Sequence, residues 1–225
     1  MRLMLTWTYI GPNQLETHFQ SDWLPTKHAM MISEDLQKTG RVKQMTFTDA
    51  YECTWQIKEL KKYVKEREQE PQNVLLYFDG GYDASTKEAG LGCAVYYEQS
   101  GKSYRYRCNA CVLSIGSNNE AEYAALHLAL KTLFEIGVHH QTISVRGDSQ
   151  VVIQQMSGEW PVYEKELNDW ADRIDRTLVE LNLTATYEHV SRKQNKEADR
   201  LATQALQKIE IHGQIELTSK ISTCE

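Results

Sequence analysis

The segment Asn73-Val74-Leu75-Leu76-Tyr77-Phe78-Asp79-Gly80-Gly81 constrains this chain more than any other. Its five residues Val74–Phe78 are apolar without a break. A strand with one wet face alternates, whereas an unbroken run of this length belongs to a strand covered on both sides. The chain must therefore build a sheet with helices on its faces. The run also ends in a carboxylate. Asp79 is expected to close the strand, with Gly80-Gly81 letting the backbone turn sharply away.

The neighbouring segments supply such a sheet. Gly92–Tyr97 and Ser103–Cys108 read as two further strands, joined by a turn at Gln99–Gly101. Ser117–Ile136 reads as a helix, opened by a Ser117/Glu120 capping box and closed by Gly137. A strand at Thr142–Val145, helices at Ser149–Met156 and Tyr163–Leu181, a strand at Thr184–Val190 and a helix at Asn195–Ile209 follow. Three strands in succession and then helices alternating with strands predict an α/β fold. Its core is a five-stranded mixed sheet, the first three strands antiparallel, flanked by helices. This domain is expected over 71–212, with a loose polar tail over 213–225.

A polar boundary, Glu66-Arg67-Glu68-Gln69-Glu70-Pro71-Gln72-Asn73, separates it from residues 1–70. That first part reads as a small α+β domain of order ββαββα. Leu3–Ile10 alternates as a half-buried strand and Thr17–Gln20 is its hairpin partner. A helix is expected at Ala29–Lys38, a second hairpin at Val42–Thr48 and Cys53–Ile57, and a charged helix at Lys58–Gln69. It carries no catalytic constellation, and Trp7, Trp23, Phe47 and Trp55 read as core. Lys58, Lys61, Lys62 and Lys65 run along one side of the last helix. The accompanying Glu59, Glu66, Glu68 and Glu70 favour a solvated, salt-bridged surface over a nucleic-acid tether.

Charge and composition exclude more than they assign. Residues 1–70 carry 10 basic and 10 acidic residues and the rest 15 and 21, so the net charge of −6 lies wholly in the second part. Bulk electrostatics give no sign of a nucleic-acid partner. No apolar window is long enough to cross a membrane, and the opening MRLMLTWTYIGP lacks a small-residue cleavage site. The five cysteines are scattered, and Cys108/Cys111 is a lone CxxC with no second pair and no nearby histidine. They read as ordinary residues of a reducing, cytoplasmic compartment.

Four acids stand at or near element ends: Asp79, Glu122, Asp148 and Asp199. Parallel neighbouring strands would bring Asp79 and Asp148 to one carboxyl edge, where ligand sites of open α/β sheets collect. Glu122 shares a helix face with Ala125, Leu126 and Ala129, and a glutamate on a buried face demands a counter-charge. Oxygen ligands alone point to Mg²⁺ or Mn²⁺. Each acid also has a plain structural alternative. Asp148 could cap a helix, Glu122 could sit at an exposed edge, and Asp199 could be a first-turn acid favoured by the helix dipole.

Taken together, Asp79-Gly80-Gly81, Ser117-Asn118-Asn119-Glu120-Ala121-Glu122-Tyr123, Gly147-Asp148-Ser149-Gln150 and His189…Asn195…Ala198-Asp199…Leu201-Ala202 resemble ribonuclease HI and its bacterial reverse-transcriptase-like relatives. The resemblance covers about residues 73–209. It implies a nuclease (phosphodiester hydrolase) that cuts the RNA strand of RNA–DNA hybrids with two Mg²⁺ or Mn²⁺ ions, leaving a 3′-hydroxyl and a 5′-phosphate. It places Asp79, Glu122, Asp148 and Asp199 as metal ligands and His189 as a catalytic loop histidine. Gly80, Asn118, Asn119, Gln150 and Asn195 fall at positions that contact nucleic acid. No protein partner is implied. Two departures bear on substrate. The stretch after Asp79 contains Asp83 and Glu88, and Ser157–Asp172 holds Glu159, Glu164, Glu166, Asp169 and Asp172 against Lys165 alone. Basic contacts must come from elsewhere, such as Arg192, Lys193 and Lys196. The alternative to a nuclease is a nucleic-acid-binding or interaction protein of this fold with little or no cleavage.

Overall fold

The structure, a computed structural model, describes residues 1–218. The chain divides into two compact units, Met1–Arg67 and the remainder from Glu68 onward.

In the first unit, strands β1 (Arg2–Ile10), β2 (Glu16–Gln20) and β3 (Leu24–Pro25) precede helix α1 (Thr26–Lys38). Strands β4 (Val42–Asp49) and β5 (Thr54–Trp55) and helix α2 (Ile57–Gln69) follow. The antiparallel sheet has the order β2-β1-β4-β5, and β3 is a two-residue addition on β1 that the sequence pattern does not announce. Alternation turns Leu3, Leu5, Met45 and Phe47 inward against Ala29 and Leu60 of the helices. The β4–β5 turn is held by Asp49, whose carboxylate accepts from the Tyr51 and Cys53 amides and the Trp55 indole. Trp7 and Trp55 pack on this core, but Trp23 is 40% exposed, contrary to expectation. It lies in the connection before β3, off the alternating strand faces. On α2, Lys61 pairs with Glu34 at 2.9 Å and Lys62 with Glu66 at 3.8 Å.

The second unit is built on β6 (Gln72–Asp83), β7 (Glu88–Gln99) and β8 (Lys102–Leu113), each antiparallel to the next. Then come α3 (Asn118–Glu135), β9 (Gln141–Gly147), α4 (Gln150–Met156), α5 (Lys165–Glu180), β10 (Leu183–His189), α6 (Lys196–Leu206) and β11 (His212–Leu217). The sheet order is β10-β9-β6-β7-β8-β11, with β6, β9 and β10 parallel. Val74, Leu76 and Phe78 of the opening run are all buried. Ser117 caps α3 through a 3.1 Å bond from the Glu120 amide. Glu120 does not return the bond to Ser117; its carboxylate accepts from the Gly116 amide and the Trp170 indole.

Three expectations need correction. The sheet has a sixth strand, β11, formed by residues 212–217 that the sequence assigned largely to a loose tail. It is polar and exposed, with only Ile215 and Leu217 as apolar positions, so it carries little of the burial signal that betrays a strand. Lys102–Glu216 and the Asn109 side-chain bonds to Ile209 and Ile211 hold it in place. The rest of that tail, 219–225, lies outside the described residues. Second, β6 does not end at Asp79 but stays paired with β7 to Asp83. The glycines answer a different need: a Cβ on Gly80 would lie 2.3 Å from the Ala121 backbone, so Gly80 lets α3 approach the strand. Gly92 does the same for α6 on the other face, where a Cβ would lie 2.4 Å from the Ala198 carbonyl. Third, Asp83 and Glu88 are not an acidic surplus in a loop beside Asp79. Asp83 accepts from the amide and hydroxyl of Ser85 in the hairpin turn, and Glu88 pairs with Lys208 at 2.6 Å.

The CxxC also resolves. Pleating sends Cys108 to the side of its cross-strand partner Cys93, while the Cys111 thiol accepts from Lys208 at 3.1 Å, so the two sulfurs do not converge.

Candidate metal centre

Because β6 and β9 are parallel neighbours, Asp79 and Asp148 arrive at the same edge of the sheet. Asp148 lies one residue beyond β9, and Glu122 sits early in α3, on the face turned toward the strand. Asp79 is 8% exposed and Glu122 only 7%. Each of Asp79, Glu122 and Asp148 offers an oxygen within 4.8 Å of the other two. The Gly80 amide donates to Glu122 Oε2 at 3.2 Å, so the glycine that admits α3 also orients its carboxylate. Gly81, Asn118, Ser149, Arg192, Asp199 and Thr203 complete the walls of a cleft of about 360 Å³.

Electrostatics show what the cluster lacks. Burial, then the charges of Asp148 and Asp199, push the Asp79 carboxyl up to about 7. Burial, then Asp79 and Asp148, push Glu122 up to about 9, against the pull of the Gly80 amide and Arg192. Such an arrangement is strained as three anions and relaxed around a cation. All donors are carboxylate oxygens, which suits a divalent cation. The residues present therefore fit the metal that the fold implies.

Two of the plain structural alternatives fail. Ser149, not Asp148, caps α4, its hydroxyl accepting from the Val152 amide at 3.4 Å. Glu122 is buried, not at an exposed edge. Asp199 does lie in the first turn of α6 and is set apart from the other three. It forms an ion pair with Arg192 at 2.5 Å and its side chain is 31% exposed. The structure thus brings three of the four acids to one point and sets the fourth in the wall of the same cleft, paired with Arg192.

The expected nucleic-acid contacts divide as well. Gly80 and Asn118 line the cleft, while Asn119 and Gln150 are not among its lining residues. Asn195 is 1% exposed and cannot be a contact for a ligand. Its amide donates to the Phe78 carbonyl at 2.9 Å and to Asp148 Oδ1 at 2.6 Å. One buried side chain thereby ties the residue before Asp79, the Asp148 carboxylate and the start of α6. His189 is exposed at the end of β10, its Nε2 3.2 Å from the Asp148 carbonyl oxygen. Thr203 and Leu206 went unnoticed in the sequence, although they stand four and seven residues after Asp199 and so share its helical face.

The model of a family described as "Reverse transcriptase-like" matches residues 77–205, more than half of the chain. The chain belongs to this ribonuclease H-like family. The protein designated "Uncharacterized protein YpeP" of Bacillus subtilis (strain 168) is 40% identical over 200 residues, 88% of each chain. That alignment is longer than the second unit, so it reaches into the first. The protein named Ribonuclease HI of Halobacterium salinarum is 32% identical over 133 residues, 59% of this chain and 64% of its own length. Among solved structures, LC11-RNase H1 in complex with an RNA/DNA hybrid is 29% identical, with a TM-score of 0.53. The match covers 60% of this chain and 98% of that one. The ribonuclease H-like unit is thus the second one, and all four acids of its cleft lie within the matched residues. Among the described residues no helix is long and apolar enough to cross a membrane.

Proposed function

We propose that the second unit is an endonuclease that hydrolyses the RNA strand of RNA–DNA hybrids with two Mg²⁺ or Mn²⁺ ions, leaving a 3′-hydroxyl and a 5′-phosphate. The observation that carries this reading is the convergence of three carboxylates, two of them buried, from β6, α3 and the end of β9 on one point. The similarity to proteins named ribonuclease H, one of them solved with a hybrid, supplies the substrate class. Asp79, Glu122 and Asp148 would hold the metal, and Asp199 would join them once Arg192 releases it. Bound ions would activate water and stabilise the leaving oxygen. Asn195 keeps the Asp148 carboxylate aimed into the cleft, and the Gly80 amide does the same for Glu122. His189 at the rim would exchange a proton with solvent. Asn118 in the cleft wall is available to a ribose hydroxyl, the group that distinguishes RNA from DNA.

The test is to offer labelled hybrid, double-stranded RNA and single strands with Mg²⁺ or Mn²⁺. The expected result is scission of the RNA strand of the hybrid in at least one metal. No hybrid cleavage in either would sink the proposal, and binding without cleavage would assign the chain to the non-catalytic alternative.

Metal binding has its own signature. Asp79 and Glu122 have folded-state values raised above those of free carboxyls. Their contribution to the stability of the metal-free protein is therefore full below pH about 4, the ordinary carboxyl value. It is lost as pH rises through about 7 for Asp79 and about 9 for Glu122. A cation replaces those protons, so the rise in melting temperature on adding Mg²⁺ should be larger at pH 8.5 than at pH 5.5. At a hundred times Kd the rise should be roughly 5–10 °C. Equal shifts at the two pH values would show that the ion binds elsewhere.

A further inference from the structure

Helix α6 presents three faces. Ala198, Leu201, Ala202 and Ala205 are buried, and Asp199, Thr203 and Leu206 turn to the cleft. Lys196 and Arg200, four residues apart, fall on the outward shoulder next to the cleft face, and Lys193 stands in the loop just before the helix. All three cations are exposed, and among the described residues none has an ion-pair partner. Their nearest acids in sequence are already engaged. Glu197, on the opposite flank, is held by Arg105 at 2.9 Å and by the Tyr96 hydroxyl. Asp199 is held by Arg192. Three free positive charges within residues 71–225, which carry the whole net charge of −6, are not a by-product of bulk composition.

Elsewhere in the unit the sign reverses. The α4–α5 connection and the start of α5 expose Glu159, Glu164, Glu166, Asp169 and Asp172, with Lys165 alone to offset them. That side repels a polyanion.

We propose that Lys193, Lys196 and Arg200 form the track that holds the sugar-phosphate backbone of a nucleic acid beside the acid cleft, so that the polymer enters over α6 and not over the α4–α5 connection. This rests on the reading of the cleft as a phosphodiester site. Lys196 and Arg200 lie about 6 Å apart along the helix axis, so with Lys193 the track is long enough for two or three successive phosphates. Lys196 also opens the helix, where the dipole adds positive potential.

The experiment measures binding of a fluorescent RNA–DNA hybrid by anisotropy between 50 and 300 mM KCl. It uses the full chain carrying Asp148→Asn to prevent turnover. Adding Lys193→Gln, Lys196→Gln and Arg200→Gln should weaken binding at least about tenfold at the low-salt end. The same change should reduce the slope of log affinity against log salt by about two. A comparison triple, Lys131→Gln, Arg173→Gln and Arg176→Gln on α3 and α5, should leave the slope unchanged. An unaltered slope in the α6 triple, an equal loss in the comparison triple, or no salt-dependent binding by the parent would each overturn the proposal. Cleavage separates the two readings. If the chain with Asp148 intact binds through α6 but never cuts, only the nuclease reading fails. If the α6 triple cuts with an unchanged KM, only the track fails.

Discussion

Asp148→Asn should lower hybrid cleavage at least about a thousandfold while leaving the metal-free protein as stable as the parent or more so. The asparagine keeps an oxygen where Asn195 Nδ2 now donates at 2.6 Å, so the tie to the start of α6 survives. What disappears is one negative charge from a cluster in which Asp148 already pushes both Asp79 and Glu122 toward protonation. Lost activity with an unchanged or raised melting temperature separates a chemical role from a structural one. Activity within tenfold of the parent would mean that the metal site is misassigned.

Gly92→Ala should strongly destabilise the second unit, costing more than about 4 kcal/mol. The added methyl would meet the Ala198 carbonyl at 2.4 Å and the Ala202 amide nitrogen at 2.5 Å, and neither can rotate away. Helix α6 must then lift from β7, and with it go Asn195 and Asp199. The melting temperature should fall by roughly 8–16 °C, and Mg²⁺ should protect less. Gly213→Ala, where nothing lies within 4 Å of the new carbon, is the control and should change little. A Gly92→Ala protein that melts within about 2 °C of the parent would show that α6 does not need this approach.

The contrast between these two sites shows what a sequence can carry. Val74–Phe78 was legible as a strand because an unbroken apolar run commonly means one, although only Val74, Leu76 and Phe78 are buried and Leu75 and Tyr77 on the other face are partly covered. The acid cluster was legible because element order alone brings Asp79, Glu122 and Asp148 together. Gly80 was misread because glycine signals either a backbone turn or the close approach of another chain segment. Only the position of Ala121 decides between them. Asn195 was misread for a similar reason. Its partner Phe78 lies 117 residues away, and no local pattern marks an amide as a buried clamp. Strand β11 was missed because an edge strand needs little apolar surface, which is the quantity that sequence patterns report. The pairing of Arg192 with Asp199 depends on the path of a short loop and not on composition.

The Asn195 clamp has a consequence for the order in which this protein acquires its chemistry. The ligands come from strand, helix and strand end, and the side chain that locks two of them arrives last, just ahead of α6. During synthesis, a chain that has emerged only as far as Asp148 already carries three acids but lacks the side chain that fastens Asp148 to β6. Such an intermediate repels itself at the very point where it would bind an ion. The acid cluster is thus fully fastened only when the last helix docks.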